Sequence, residues 1–123
     1  MGDLIHFAES PLTVTDADKT WVMTNPPSFD VARYEVLDLQ ILVLSFKPTS
    51  GGIDFRVVIE TSMFSDQEAS WVQLGSFGPV TEAPSTAKLN LSGLLRYIRW
   101  RVTKLDGAEM ATFILSGMVR AGL

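Results

Sequence analysis

The chain has no cysteine and a single histidine, His6, among its 123 residues. The first absence excludes disulfides, thiolate catalysis and cysteine-bound metals, and it removes the cross-links that reinforce small secreted domains, so synthesis in the cytosol is the expectation. The second leaves little for a nucleophilic enzyme, because His6 lies in an N-terminal segment without an activated-serine motif. Long apolar runs are missing too. The longest, Ile41 to Leu44 with Phe46 beyond it, falls far short of the roughly 20 residues that span a bilayer as a helix. The opening Met1-Gly2-Asp3-Leu4-Ile5-His6-Phe7 lacks a basic stretch followed by an apolar one, so neither a signal peptide nor membrane attachment is expected. Gly2 is placed for N-myristoylation, but position 6 is His where Ser or Thr is needed. Convincing helix periodicity is found nowhere.

What is present is ordinary globular usage, 46% hydrophobic and 20% charged, in a chain of one-domain length that can bury an unaided core. The formal charge of −4 argues against a general phosphate-backbone binder, which would carry a dominant basic patch. Period-2 alternation supplies the strands. Leu4 to Ala8, Leu12 to Val14 and Thr20 to Thr24 read as short strands, and residues 1–27 as an N-terminal arm or edge strands of a single domain spanning 1–123. Tyr34 to Phe46 is the longest candidate. Leu37, Leu39, Ile41 and Val43 share one face, Asp38 and Gln40 the other, and the second half is apolar on both faces through Leu42, Leu44 and Phe46. Lys47 to Gly52 reads as a hairpin, followed by Phe55 to Ser62 with Asp54, Arg56 and Glu60 outward. Trp71 to Phe77, Ala87 to Leu91, Arg96 to Thr103 and Thr112 to Arg120 follow, the last two joined at Asp106-Gly107. About eight antiparallel strands predict an all-β, two-sheet sandwich of jelly-roll type.

Motifs for chemistry do not assemble. Asp16 and Asp18 begin a calcium-loop pattern that lacks the third acidic residue, the glycine and the closing glutamate, so a solvated turn is expected. Asp66 and Glu68 fit a polar loop. Arg96, Arg99, Arg101 and Lys104 interleave with Tyr97 and Trp100 in the manner of a nucleic-acid stripe, but alternation turns Arg99 and Arg101 away from Trp100 and toward outward Asp54 and Glu60. Asn90-Leu91-Ser92 matches a glycosylation sequon, which needs a secretory route to matter. Trp21, Phe29, Met63, Phe64 and Trp71 fall in loops or at strand ends, where aromatic and thioether side chains grip a sugar or a protein.

From Ile53 to Arg120 the order of features resembles a discoidin-type, galactose-binding-like jelly roll. A strand ends in a serine-containing loop (Glu60-Thr61-Ser62 with Ser65-Asp66), a tryptophan opens the next (Trp71), and Arg96-Tyr97-Ile98-Arg99 begins a late strand before Phe113 to Gly117 closes the domain. The resemblance implies binding of carbohydrate, lipid headgroups or protein through loops at one end, here Asn25 to Asp30 and Met63 to Ser70, although the cysteine pair many members carry is absent. Compact cysteine-free sandwiches are also similar to structural proteins of tailed-phage virions, a resemblance resting on size, missing sorting signals and the apolar second face. The expectation is therefore a non-enzymatic structural protein of a larger assembly, such as a virion decoration, cement or tail-associated protein. It would use no cofactor or metal, would partner itself and other structural proteins, and would meet neighbours through Leu42, Leu44 and Phe46. The alternative is a carbohydrate-binding module with Phe29, Met63, Phe64, Asp66 and Trp71 at the loop end.

Overall fold

The computed structural model describes residues 2–6, 11–16, 21–24 and 27–121, the first five by backbone alone. Nine strands are found there: β1 (Gly2–His6), β2 (Leu12–Thr15), β3 (Phe29–Asp30), β4 (Val36–Pro48), β5 (Asp54–Ser62), β6 (Val72–Val80), β7 (Ser85–Ser92), β8 (Tyr97–Asp106) and β9 (Ala108–Arg120). They form two antiparallel sheets, one ordered β1-β9-β4-β7 with β2 also on β9, the other β3-β8-β5-β6. One 3-10 turn, Glu68–Ser70, interrupts the strands. The expected Leu4 to Ala8 strand is seen as β1, its last two residues lying outside the described residues, as does Asp18. Of the expected Thr20 to Thr24 strand, Thr20 lies outside the described residues and residues 21–24 make only an isolated bridge, Val22 to Arg101, beside β8.

Alternation builds the core. Leu37, Leu39, Ile41 and Val43 of β4 and Ala111, Phe113, Leu115 and Val119 of β9 line one sheet; Phe55, Val57 and Ile59 of β5 and Ile98, Trp100 and Val102 of β8 line the other. Phe113 sits at the centre, its ring 5.6 Å from both Phe55 and Trp100. The two sheets bury each other's apolar rows, which is the main stabilising term of such a sandwich. Trp100 Nε1 is buried without a hydrogen-bond partner among the described residues.

Two readings from alternation change. Between Val43 and Ser45 the β4–β9 register slips, so Leu44 is an extra residue and the parity of β4 is reset beyond it. Phe46 therefore pairs with Ala111 and turns inward, its ring 5.8 Å from Phe55, while Leu42 stays on the outer face; the three residues do not share a face. The segment from Lys47 to Gly52 joins β4 of one sheet to β5 of the other, so it arches between layers and is not a hairpin. Gly107 makes the matching arch from β8 to β9. Its φ is +72°, and a Cβ there would meet the Gly52 carbonyl oxygen at 2.2 Å, so only glycine fits.

Candidate functional site

The end of the sandwich where β5 stops carries four exposed apolar side chains, Met63, Phe64, Val72 and Leu95. Two consecutive buried hydroxyls organise it. Ser62 Oγ accepts the Phe64 amide at 3.0 Å and shares a hydrogen bond with Ser70 Oγ, while the Ser70 amide donates to the Gln67 carbonyl, closing residues 63–71 on themselves. Thr61 Oγ1 donates to the Tyr97 carbonyl (2.8 Å) and accepts the Leu95 amide (2.9 Å), fixing the loop between β7 and β8. Between these pinned loops, Met63, Leu94, Leu95, Arg96 and Ala32 line a depression of about 260 Å³. Met63 is 54% exposed and Phe64 57%.

The other loop-end candidates are placed differently. Phe29 pairs with Ile98 and packs half-buried against the core, and Asp66 is exposed on the loop. The Trp71 ring lies over the Arg99 guanidinium at 4.2 Å, so one of its faces is occupied by the protein itself. Arg99 was expected to point away from Trp100 into solvent. It does point away, yet it is only 6% exposed, because residues 63–71 and Trp71 fold over that outer face. Its Nε donates to Glu60 at 2.9 Å and its terminal nitrogens to both oxygens of Glu68 at 2.8 and 3.0 Å; Arg101 reaches the same two carboxylates. Burial disfavours the Arg99 charge, but the bonds from Glu68 and Glu60 outweigh it and raise its pKa. The Arg99 hydrogen bond in turn holds the Glu68 carboxyl below its ordinary range. Glu60 thus pairs with these arginines as alternation suggests, whereas Asp54 pairs instead with Arg56 (2.8 Å) and Lys104 (3.2 Å).

A second surface lies on the outer face of the five-stranded sheet. There β9, β4 and β7 border an open groove of about 600 Å³, with Asp38, Gln40, Lys88, Asn90, Ser116 and Met118 along it. Sequence alternation marks Gln40, Lys88 and Asn90 as outward but does not bring them together, because the strand order β9-β4-β7 is not the chain order. Asp38 accepts from Asn90 and from Arg120 Nε (3.1 Å), and both, Asn90 first, lower its pKa. Leu42 and half-buried Leu44 lie toward the other end of this face. Among the described residues no group of three His, Cys, Asp or Glu side chains comes together as a metal site, and no helix is long and apolar enough to cross a membrane.

This geometry belongs to a widely shared fold. No protein-family model matches the sequence, and no curated protein matches it. Among solved structures, the K2 cleaved adhesin domain of Lys-gingipain is similar with a TM-score of 0.57 at 12% identity, covering 98% of this chain and 99% of that one. The K1 cleaved adhesin domain of the same protein, from Porphyromonas gingivalis W83, has a TM-score of 0.55 at 8% identity over 100% and 99% of the two chains. The CBM22-1-GH10 modules of Clostridium thermocellum xylanase 10B, complexed with xylohexaose, reach 0.50 at 10% identity, with 77% of this chain covering 19% of that one. Identities this low establish a common β-sandwich and nothing finer.

Proposed function

We propose that this domain is a non-enzymatic binding module that joins a larger assembly by protein–protein contact, with a second copy of itself as the first partner. The observation that carries the reading is Met63 and Phe64, both more than half exposed on a loop held by buried hydroxyls and by the Arg99 network. Apolar groups presented by a pinned loop lose little freedom on docking, which is the condition for a small patch to bind well. Leu95 and Val72, at 38% and 53% exposure, extend the patch along the same end. Support for a non-catalytic role comes from the fold, shared with adhesin domains and with modules that include a CBM22. A virion protein that decorates a capsid or attaches to a tail is the finer reading, and its support is this docking patch alone.

Docking at the loop end replaces Leu42, Leu44 and Phe46 as the main contact, since Phe46 is occupied in the core. Carbohydrate is the second reading, favoured by the open groove of the five-stranded sheet, where Gln40, Lys88, Asn90 and Ser116 lie beside apolar surface, more than by Trp71, whose ring already stacks on Arg99. Amide hydrogen exchange at rising protein concentration tests the first. Protection gained at residues 63–66 and 94–96, with the groove strands unchanged, is the expected result; protection gained across residues 38–44 instead would return the contact to the sheet face.

A further inference from the structure

We propose that the outer face of the five-stranded sheet holds a second, separate binding site whose ligand is an oligosaccharide. Cross-strand register puts the side chains in rows. Met118, Asp38 and Asn90 form one row across β9, β4 and β7, and Ser116, Gln40 and Lys88 form the next. Rows two residues apart on one face lie side by side, so six side chains converge on a single groove. The backbone of β1 borders it, with Leu4 opposite Met118 and His6 opposite Ser116 in register.

The hydrogen-bonding capacity of these rows is partly spent and partly free, in a pattern suited to hydroxyl groups. Gln40 Nε2 donates to Thr86 Oγ1 (3.1 Å), and the Thr86 hydroxyl donates to the Ile41 carbonyl, which orients the Gln40 amide and leaves its oxygen as an acceptor. Asn90 is oriented in the same way by its bond to Asp38, and Asp38 by Arg120. Among the described residues neither the Lys88 ammonium nor the Ser116 hydroxyl has a hydrogen-bond or ion-pair partner. Fixed acceptors beside free donors recognise vicinal hydroxyls, each of which both gives and takes a hydrogen bond. Met118, 42% exposed, gives the C–H faces of a sugar a polarisable apolar contact.

Size and charge choose among ligands. Three adjacent strands span roughly 10 Å, the length of about two linked sugar rings. The groove's volume lies within the usual range for small-molecule sites but its open shape suits a chain that enters and leaves across the sheet. Nucleic acid is disfavoured by the central Asp38 carboxylate and the net charge of −4.

The test is two-dimensional NMR of the full chain titrated separately with xylohexaose, a neutral probe, and with tetragalacturonate, an acidic one. Saturable shifts of the backbone amides at 38–40, 88–90 and 116–118 with either probe are expected, weakened about tenfold in Lys88→Ala and in Gln40→Ala, since each removes a direct contact. The double variant Met63→Asp/Phe64→Asp should bind the probe unchanged, which separates this site from the loop end. Silence with both probes at millimolar concentration, or shifts confined to residues 63–71 and 93–96, would overturn the assignment.

Discussion

On the outer face of β3-β8-β5-β6, each of Asp54, Arg56, Glu60, Arg99, Arg101 and Lys104 has an opposite charge within 3.2 Å, and a loop closes over the centre. On the outer face of β1-β9-β4-β7, Lys88 and Ser116 make no hydrogen bond or ion pair among the described residues, and a groove is open. The face of paired charges is thus the less available one. Its arginines bond Glu68 and stack under Trp71, which holds residues 63–71 back onto the sheet and sets the position of Met63 and Phe64. The difference teaches that a run of basic residues on a strand is informative only once its partners are known, and that the unspent polar groups mark where a ligand can be met.

That contrast can be broken by substitution. Arg99→Ala should have the largest effect, about 2–3 kcal/mol of lost stability in urea denaturation, because it leaves the largely buried Glu60 with Arg101 alone, frees Glu68 from its paired bonds and removes the stacking under Trp71. It should also speed hydrogen exchange in residues 63–71, where a core variant of similar cost such as Ile59→Ala would not act selectively. Gly117→Val comes next, at about 2 kcal/mol in the same assay. Position 117 lies in the inner register of β9, and even a Cβ there would sit 2.8 Å from Leu39 Cδ2 and 3.1 Å from the Asp38 carbonyl oxygen.

The acid limb sharpens the comparison further. Hydrogen bonding to Arg99 lowers the Glu68 pKa from its ordinary 4.5, so the contribution of this carboxylate is fully present above about pH 4.5 and is lost as pH falls through the folded value. The stability gap between the wild type and Glu68→Gln should therefore be constant above pH 4.5 and close below it, as read from denaturation curves at successive pH values. The smallest effect belongs to the open face. Lys88→Ala should shift stability by less than about 0.5 kcal/mol, since its ammonium makes no hydrogen bond or ion pair among the described residues. A larger loss would mean that the groove is part of the scaffold and not spare surface.

Much of the architecture is legible in the chain because inward residues alternate cleanly: Phe55, Val57 and Ile59, then Ile98, Trp100 and Val102, then Ala111, Phe113, Leu115 and Val119 are buried rows, while Ile53, which the same alternation turns inward, lies before β5 and outside the core. The bulge at Leu44 was not legible, since an extra residue leaves no mark in a run that is apolar at every position, and Phe46 was consequently assigned to the wrong face. The arch after Lys47 looked like a hairpin because paired glycines serve either turn. Of the loop-end residues, Met63, Phe64 and Asp66 are exposed, whereas Trp71 and Phe29 are partly consumed by contacts with Arg99 and the core. The burial of Arg99 depends on a loop some thirty residues earlier, with Glu68 bonding it across a separation of 31. The groove is not legible in the sequence for a related reason: β9, β4 and β7 are neighbours in the sheet but far apart along the chain.

The central claim, that a pinned loop end presents Met63 and Phe64 for self-association, is tested most directly by light scattering across a concentration range on the wild type and on Met63→Asp/Phe64→Asp. A discrete oligomer in the wild type and a monomer in the variant is the predicted result. A wild type that stays monomeric at the highest concentration, or a variant that assembles just as well, would contradict it.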